Sequence, residues 1–339
     1  MQLSDFDFPF DPDLVAQQPV IPRDHARLLL LDRKTDQLAH HHVSDLPGLL
    51  EPGDLLVVND TKVLAARVSG TKMPTGSPVE VLFVRDLGDG VWEVMLKGSF
   101  HVGQVIEFDG QSLATILKRD VAGTRVKVDG PLPVAQLLRA RGTMPLPPYI
   151  RRPSTQEDHH WYQTLFAKHE GAIAAPTAGL HFTPELLSRL DTSAVRIATV
   201  TLHVGPGTFR PVVTEPIGAH QMGEEVFEIT EETAKAIAQT KQAGRRAVAV
   251  GTTVVRTLET VAREHGRVVS TSGESRLFIT PGFQFKVVDA LMTNFHLPRT
   301  TLLMLVSAFA GGGLLRRAYE EAVRERYRLY SYGDAMLIL

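Results

Sequence analysis

The sequence predicts an α/β protein, a mixed sheet flanked by helices, with a small antiparallel β-barrel inserted into it. Three observations carry this. The strings R-L-L-L-L-D at 27–32 and G-D-L-L-V-V-N at 53–59 are continuous apolar runs, the pattern of strands covered on both faces. From about 71 to 129 the pattern changes to short alternating runs, V-E-V-L-F-V, V-W-E-V-M-L, V-I-E-F and R-V-K-V, separated by turn signals such as Leu87-Gly88-Asp89-Gly90 and Asp109-Gly110. That is the grammar of a small antiparallel barrel. Beyond 153, helix and strand patterns alternate again to the C-terminus, so the barrel reads as an insertion at 69–153 in one discontinuous α/β domain, 1–68 and 154–339.

Individual elements follow in order. The Pro-rich stretch 131–153 returns the chain from the barrel. Thr183-Pro184-Glu185 is a helix start, with Thr as N-cap and Pro at the first helical position. Residues 247–250 form a strand, Gly251-Thr252-Thr253 a turn, and 254–265 a helix closed by Gly266, which together make one βα unit. The longest uncharged apolar run, 300–315, is shorter than the roughly 20 residues of a spanning helix and carries three consecutive glycines; it reads as one buried core helix. The triplet His40-His41-His42 reads as a surface loop.

Composition narrows the function. The chain has 339 residues and no cysteine, which excludes disulfides, thiolate metal sites, iron–sulfur clusters and cysteine nucleophiles and fits a reducing, cytoplasmic setting. A formal charge of −2 gives no global attraction for a polyanion, so a nucleic acid would have to meet a local patch. The first residues lack the basic and apolar regions of an export signal, and no membrane association is expected. Thirteen histidines show no metal-ligand spacing, and no Walker A or dinucleotide fingerprint is present; Gly205 and Gly207 leave a strand without the third glycine.

Several segments suit chemistry nonetheless. A βα turn at Thr252 and Thr253 followed by Arg256 would aim N–H groups, hydroxyls and a guanidinium at an anion, although an ordinary N-cap has the same residues. His181, His203 and His296 stand at Gly- or Pro-marked strand ends, where binding loops of α/β sheets gather. Asp60, Glu170 and Asp334 are candidate acid/base carboxylates. Between 130 and 156 there is no acidic residue, while Arg139, Arg141, Arg151 and Arg152 are present with Tyr149, a strip able to follow a phosphate backbone or merely a solvated linker. A second arginine cluster, 316–328, is interleaved with glutamates and is explained by intrahelical pairs.

The strings N-D-T-K-V at 59–63, L-P-P-Y-I at 146–150, Y-Q-T-L-F-A at 162–167, A-A-P-T-A-G-L-H-F-T at 174–183, H-V-G-P-G-T-F-R-P-V at 203–212, V-G-T-T-V-V-R-T-L-E at 250–259, F-K-V-V-D-A-L-M-T-N-F-H-L-P at 285–298 and S-Y-G-D-A-M-L-I at 331–338 resemble the S-adenosylmethionine:tRNA ribosyltransferase-isomerases of queuosine biosynthesis, from Leu3 to the end. The resemblance implies an α/β domain with an inserted barrel. It also implies S-adenosylmethionine as co-substrate with no metal or redox cofactor, and transfer of its ribosyl group to 7-aminomethyl-7-deazaguanine at the wobble position of a G-U-N anticodon tRNA. Epoxyqueuosine forms, with release of adenine and methionine. On the matching motifs, Asp60, Glu170, His181 and Asp334 compete as the base. Thr252, Thr253 and Arg256 are expected to clamp the carboxylate or ribose. Thr177, Gly179, His181 and Phe182 would line the S-adenosylmethionine pocket beside Gly205 and Gly207, and Arg210, Asn294 and His296 would meet adenine or the modified base. Lys62, Arg67, Arg151, Arg152 and Arg299 are the tRNA-backbone candidates. A monomer is expected.

The chain departs from the family pattern at three places. Met222-Gly223-Glu224-Glu225 replaces M-H-S-E, Gly273-Glu274-Ser275-Arg276 replaces G-W-T-D, and Lys62 replaces an arginine. Two competing readings predict different observables: an S-adenosylmethionine-dependent RNA methyltransferase would release S-adenosylhomocysteine, and a non-catalytic tRNA-binding module would not bind S-adenosylmethionine.

Overall fold

A computed structural model describes residues 1–120, 123–205, 212 and 216–339. Along the chain, β1 (Arg27–Asp32) and β2 (Gln37–His42) form a hairpin, α1 (Leu46–Leu49) follows, and β3 (Leu55–Asn59) runs into the short β4 (Thr61–Val63). The barrel then comprises β5 (Arg67–Lys72), β6 (Ser77–Asp86), β7 (Val91–Leu96), β8 (Val105–Glu107), β9 (Leu113–Asp120) and β10 (Gly123–Asp129). Next come α2 (Val134–Arg141), α3 (Asp158–Trp161), β11 (His169–Ala172), α4 (Pro184–Thr192), β12 (Arg196–Leu202), β13 (Glu225–Ile229), α5 (Glu231–Gln242), β14 (Ala247–Val250) and α6 (Thr252–His265). The chain ends with β15 (Thr271–Ser275), β16 (Ala290–Asn294), α7 (Thr301–Ala310), α8 (Gly312–Arg324) and β17 (Ala335–Ile338).

The main sheet has the order β15-β13-β12-β3-β14-β16-β17-β1-β2. Its centre is parallel, with β3 between β12 and β14, and β14 beside β16; the edges are antiparallel. The apolar runs read from the sequence occupy the places such runs require. In β3, Leu55 and Val57 enter a core shared with α6, α7 and α8, while Leu56 and Val58 face the opposite core, built with α1 and α4. Every residue of β3 is buried, which is why no polar alternation marks it.

The barrel closes in the order β10-β7-β6-β5-β8-β9, filled by Phe83, Trp92, Val94, Ile106 and Val126. Its two connections to the α/β part lie side by side: Thr143 N–H donates to the Arg67 carbonyl at 2.8 Å and Arg67 N–H to the Thr143 carbonyl at 3.3 Å. Gly142 permits this approach, since a Cβ there would lie 1.8 Å from the Ala65 carbonyl oxygen.

Thr183 caps α4 as expected, its Oγ1 accepting from Leu186 N–H at 3.1 Å. Four other expectations are corrected. His40–His42 lie on β2, where His40 Nδ1 meets Tyr327 Oη at 2.8 Å; alternation there is half-exposed, so the histidines conceal a strand edge. The 300–315 run is two helices bent by 114° at Gly311, whose φ of +86° ends one and starts the next. No single helix among the described residues is long and apolar enough to cross a membrane. The 131–153 return contains a helix, α2, rather than linker alone. In the second arginine cluster Arg324 pairs with Glu321 within α8, whereas Arg317 reaches Asp36 at 2.6 Å and Arg326 reaches Asp11 at 3.7 Å, tying α8 and the following turn to distant segments.

Candidate active site

At the C-terminal ends of the central strands lies a small open cleft with a cavity volume of about 40 Å³, at the place where crevices form in sheets of this type. Ala175, Thr177, Val204, Thr252, Thr253, Asn294, His296, Tyr330 and Ser331 are among its lining residues. The sequence builds it from strand ends. Asn59, closing β3, accepts from Thr61 N–H at 3.0 Å and Leu202 N–H at 3.1 Å, and its Nδ2 donates to the Leu202 carbonyl and, at 3.3 Å, to Thr253 Oγ1. One amide thus binds β3, β12 and the start of α6 together.

The α6 N-terminus opens into the cleft. Gly251 takes φ +94° and ψ 154°, a conformation L-residues rarely adopt, and among the described residues no side chain caps the helix. The uncapped first turn therefore offers N–H groups and two hydroxyls to a ligand acceptor. Arg256, expected as a third donor, has a different occupation: it is 5% exposed, ion-paired with Glu225, and its Nε donates to the Leu277 carbonyl at 3.2 Å.

Beside this turn stands Asn294, closing β16. Its Nδ2 lies 3.2 Å from His181 Nε2 and 3.2 Å from the Tyr330 carbonyl. Burial pushes His181 down to about 4, so it stands neutral near pH 7. Burial likewise pushes His296 down to about 3; its Nε2 meets Thr293 Oγ1 at 2.8 Å, and its backbone N–H donates to Tyr319 Oη at 2.7 Å. Tyr149 Oη and Ser331 Oγ are 2.6 Å apart on the adjoining wall.

The four base candidates are dispersed, and none is among the residues lining the cleft. Asp60 sits beside Asn59, with Oδ1 accepting from Thr201 Oγ1 at 2.6 Å and Oδ2 3.8 Å from His169 Nε2. Glu170 is exposed between Lys62 at 3.0 Å and Arg139 at 3.6 Å, and Lys62 holds its carboxyl below the usual range. Asp334 is buried and accepts the Arg27 and Arg328 N–H groups; burial raises its carboxyl above the ordinary value.

Gly179 packs against Thr164, where a Cβ would lie 3.1 Å from Cγ2, and Phe182 is buried against Phe166 with ring centres 5.4 Å apart. Gly205 N–H donates to Glu225 at 3.2 Å. Gly207 and Arg210 lie outside the described residues. Of the backbone-contact candidates, Arg152 grips the buried Asp158 through two bonds of 2.6 and 2.8 Å, Arg299 is paired with Asp7, and Arg67 donates to the Leu146 carbonyl at 3.2 Å and lies 3.4 Å from Glu80. Arg151 is exposed. The two multi-residue departures meet: Glu225 is in register with Ser275 across β13 and β15, and Glu224 is ion-paired with Arg276.

Tyr330, Ser331 and Thr293 also line the cleft, beyond the residues expected there from the sequence. Tyr330 and Ser331 adjoin or open the S-Y-G-D string, and Thr293 lies within the 285–298 string, so the signal was present there.

Comparison with known proteins decides the family. The model of a family described as queuosine biosynthesis protein matches residues 3–338. The chain belongs to this family. Similar curated proteins are the S-adenosylmethionine:tRNA ribosyltransferase-isomerases of Desulforamulus reducens, 48% identical over 343 residues, and Staphylococcus epidermidis, 46% identical over 345, each match covering 100% of both chains. A solved structure of S-adenosylmethionine tRNA ribosyltransferase from Thermotoga maritima is 39% identical, with a TM-score of 0.58 over 99% of this chain and 100% of that one.

Proposed function

We propose that this protein is an S-adenosylmethionine:tRNA ribosyltransferase-isomerase of queuosine biosynthesis, a transferase that modifies tRNA with S-adenosylmethionine as co-substrate. The observation that carries the reading is full-length similarity to curated proteins of that name, coinciding with a cleft whose wall is built from the motifs they resemble. The acceptor is 7-aminomethyl-7-deazaguanine at the wobble position of a G-U-N anticodon, and the enzyme works as a cytoplasmic monomer.

The chemistry needs one base, because the sulfonium acidifies the adjacent ribose C5′–H. Asp60 suits this role best among the four candidates: it stands at the end of the central strand, next to the amide that touches Thr253, and among the described residues its Oδ2 meets the longer 3.8 Å approach of His169. Held neutral, His181 positions Asn294 instead. Thr252 and Thr253 hold the ribose or the carboxylate at the uncapped α6 terminus. Lys62, half-buried, and Arg151, exposed, meet the tRNA backbone.

Incubation with S-adenosylmethionine and tRNA carrying 7-aminomethyl-7-deazaguanine, followed by mass spectrometry, tests this. Adenine, methionine and epoxyqueuosine are the expected products. S-adenosylhomocysteine would make the protein a methyltransferase, and absence of S-adenosylmethionine binding would reduce it to a tRNA-binding module.

A further inference from the structure

Two polar atoms on the cleft wall, Asn294 Oδ1 and Tyr330 Oη, are sequestered from solvent and have no hydrogen-bond partner among the described residues. Leaving such atoms bare is unfavourable, and buried groups of this kind are ordinarily paired. Both are also fixed in place. The Tyr330 carbonyl can only accept, so the end of the Asn294 amide facing it is nitrogen, and the neutral ring of His181 meets the same nitrogen. The oxygen of Asn294 is thereby committed as an acceptor with both amide hydrogens engaged. Tyr330 is held at φ +70°, a region unfavourable for a bulky side chain, by its own N–H to the Phe295 carbonyl at 3.2 Å and by Gly333 N–H to its carbonyl at 2.9 Å. Gly333 closes that turn because a Cβ would fall 2.4 Å from the Arg328 carbonyl oxygen. The ring of Tyr330 is braced by Tyr149 at 5.0 Å and by Phe10 of the N-terminal segment at 5.7 Å. Burial raises the phenol above its ordinary value, so it is a neutral hydrogen donor.

We infer that Asn294 and Tyr330 read the adenine edge of S-adenosylmethionine, Asn294 Oδ1 accepting from the exocyclic amine and Tyr330 Oη donating to the ring nitrogen beside it. The inference rests on the function proposed above. An acceptor and a donor on residues of the same cleft wall match an edge that presents one N–H and one bare nitrogen. The location fits as well: Gly251 N–H donates to the Met292 carbonyl at 2.8 Å, so Thr252 and Thr253 stand one strand from Asn294, where the ribose attached to that base would lie.

The test is titration calorimetry of the full-length protein with S-adenosylmethionine and three analogues: 6-deamino, 7-deaza and 1-deaza. The wild type should lose about tenfold in affinity for the 6-deamino analogue and for one of the deaza analogues, the loss of one neutral hydrogen bond each. Tyr330→Phe, which keeps every backbone contact, should bind S-adenosylmethionine about tenfold more weakly and cease to discriminate against that same deaza analogue. Asn294→Ala should cease to discriminate against the 6-deamino analogue, with thermal melting confirming its fold. Unchanged affinity in Tyr330→Phe, or an equal loss for S-adenosylmethionine and both deaza analogues, overturns the inference. So does an effect confined to the KM for tRNA, which would assign the pair to the tRNA base. Failure of the wild type to bind S-adenosylmethionine would instead overturn the functional reading beneath it.

Discussion

His181 and His296 illustrate how burial determines what a residue can do. Both are buried, with pKa values pushed to about 4 and about 3, so neither carries charge at neutral pH and each serves as a fixed hydrogen-bonding group. The unfolded chain protonates both near 6.5 while the folded chain does not, so stability is fully present above that value and falls as pH drops toward 4. Urea unfolding at pH 7 and pH 5 should show a loss of about 1–2 kcal/mol per histidine, and His181→Gln should remove its share. The sequence displayed these histidines at marked strand ends but could not show their distant partners, because Asn294 and Arg23 lie far along the chain from His181, and Tyr319 from His296. The same limit applies to Arg256. Its place one turn into a helix was legible; that Glu225 would meet it, and that Glu224 and Arg276 would pair just outside, depends on the β13–β15 register.

Elements with local causes were readable and those with distant causes were not. Thr183 and Pro184 encode the α4 start within four residues, and β3 announces its burial by composition. By contrast, β2 was hidden by three histidines, and the break between α7 and α8 looked like one helix because both sides of Gly311 are apolar. The start of α6 lies at Thr252, two residues before the sequence pattern suggests, because Gly251 supplies the whole reversal. Gly251→Ala should therefore strain the cleft rather than clash. The nearest atom to a new Cβ is 3.6 Å away, so the penalty is the unfavourable φ, about 1–3 kcal/mol. Relief by rotating the peptide would turn the first N–H groups of α6, and the expected outcome is a lowered melting temperature with at least tenfold weaker S-adenosylmethionine binding by calorimetry.

At the scale of the molecule, the division into sheet and barrel was plain in the sequence because period-2 alternation gives way to continuous apolar runs. The manner of their attachment was not, since Gly142 looks like any turn glycine. In the structure a Cβ there collides with backbone, so Gly142→Ala should separate the paired connections and destabilise the protein by about 2 kcal/mol or more in chemical denaturation, while Gly218→Ala, with nothing within 4 Å, should change little.

The position of β3 has a consequence for synthesis. This strand leaves the ribosome early, yet both its neighbours, β12 and β14, arrive more than a hundred residues later, whereas all six barrel strands fall between Arg67 and Asp129. Local pairings form faster than distant ones, so the barrel closes first while β3, fully buried in the finished sheet, waits unpaired. During that interval the growing polypeptide carries its greatest risk of aggregation, and it is there that a holding chaperone would act.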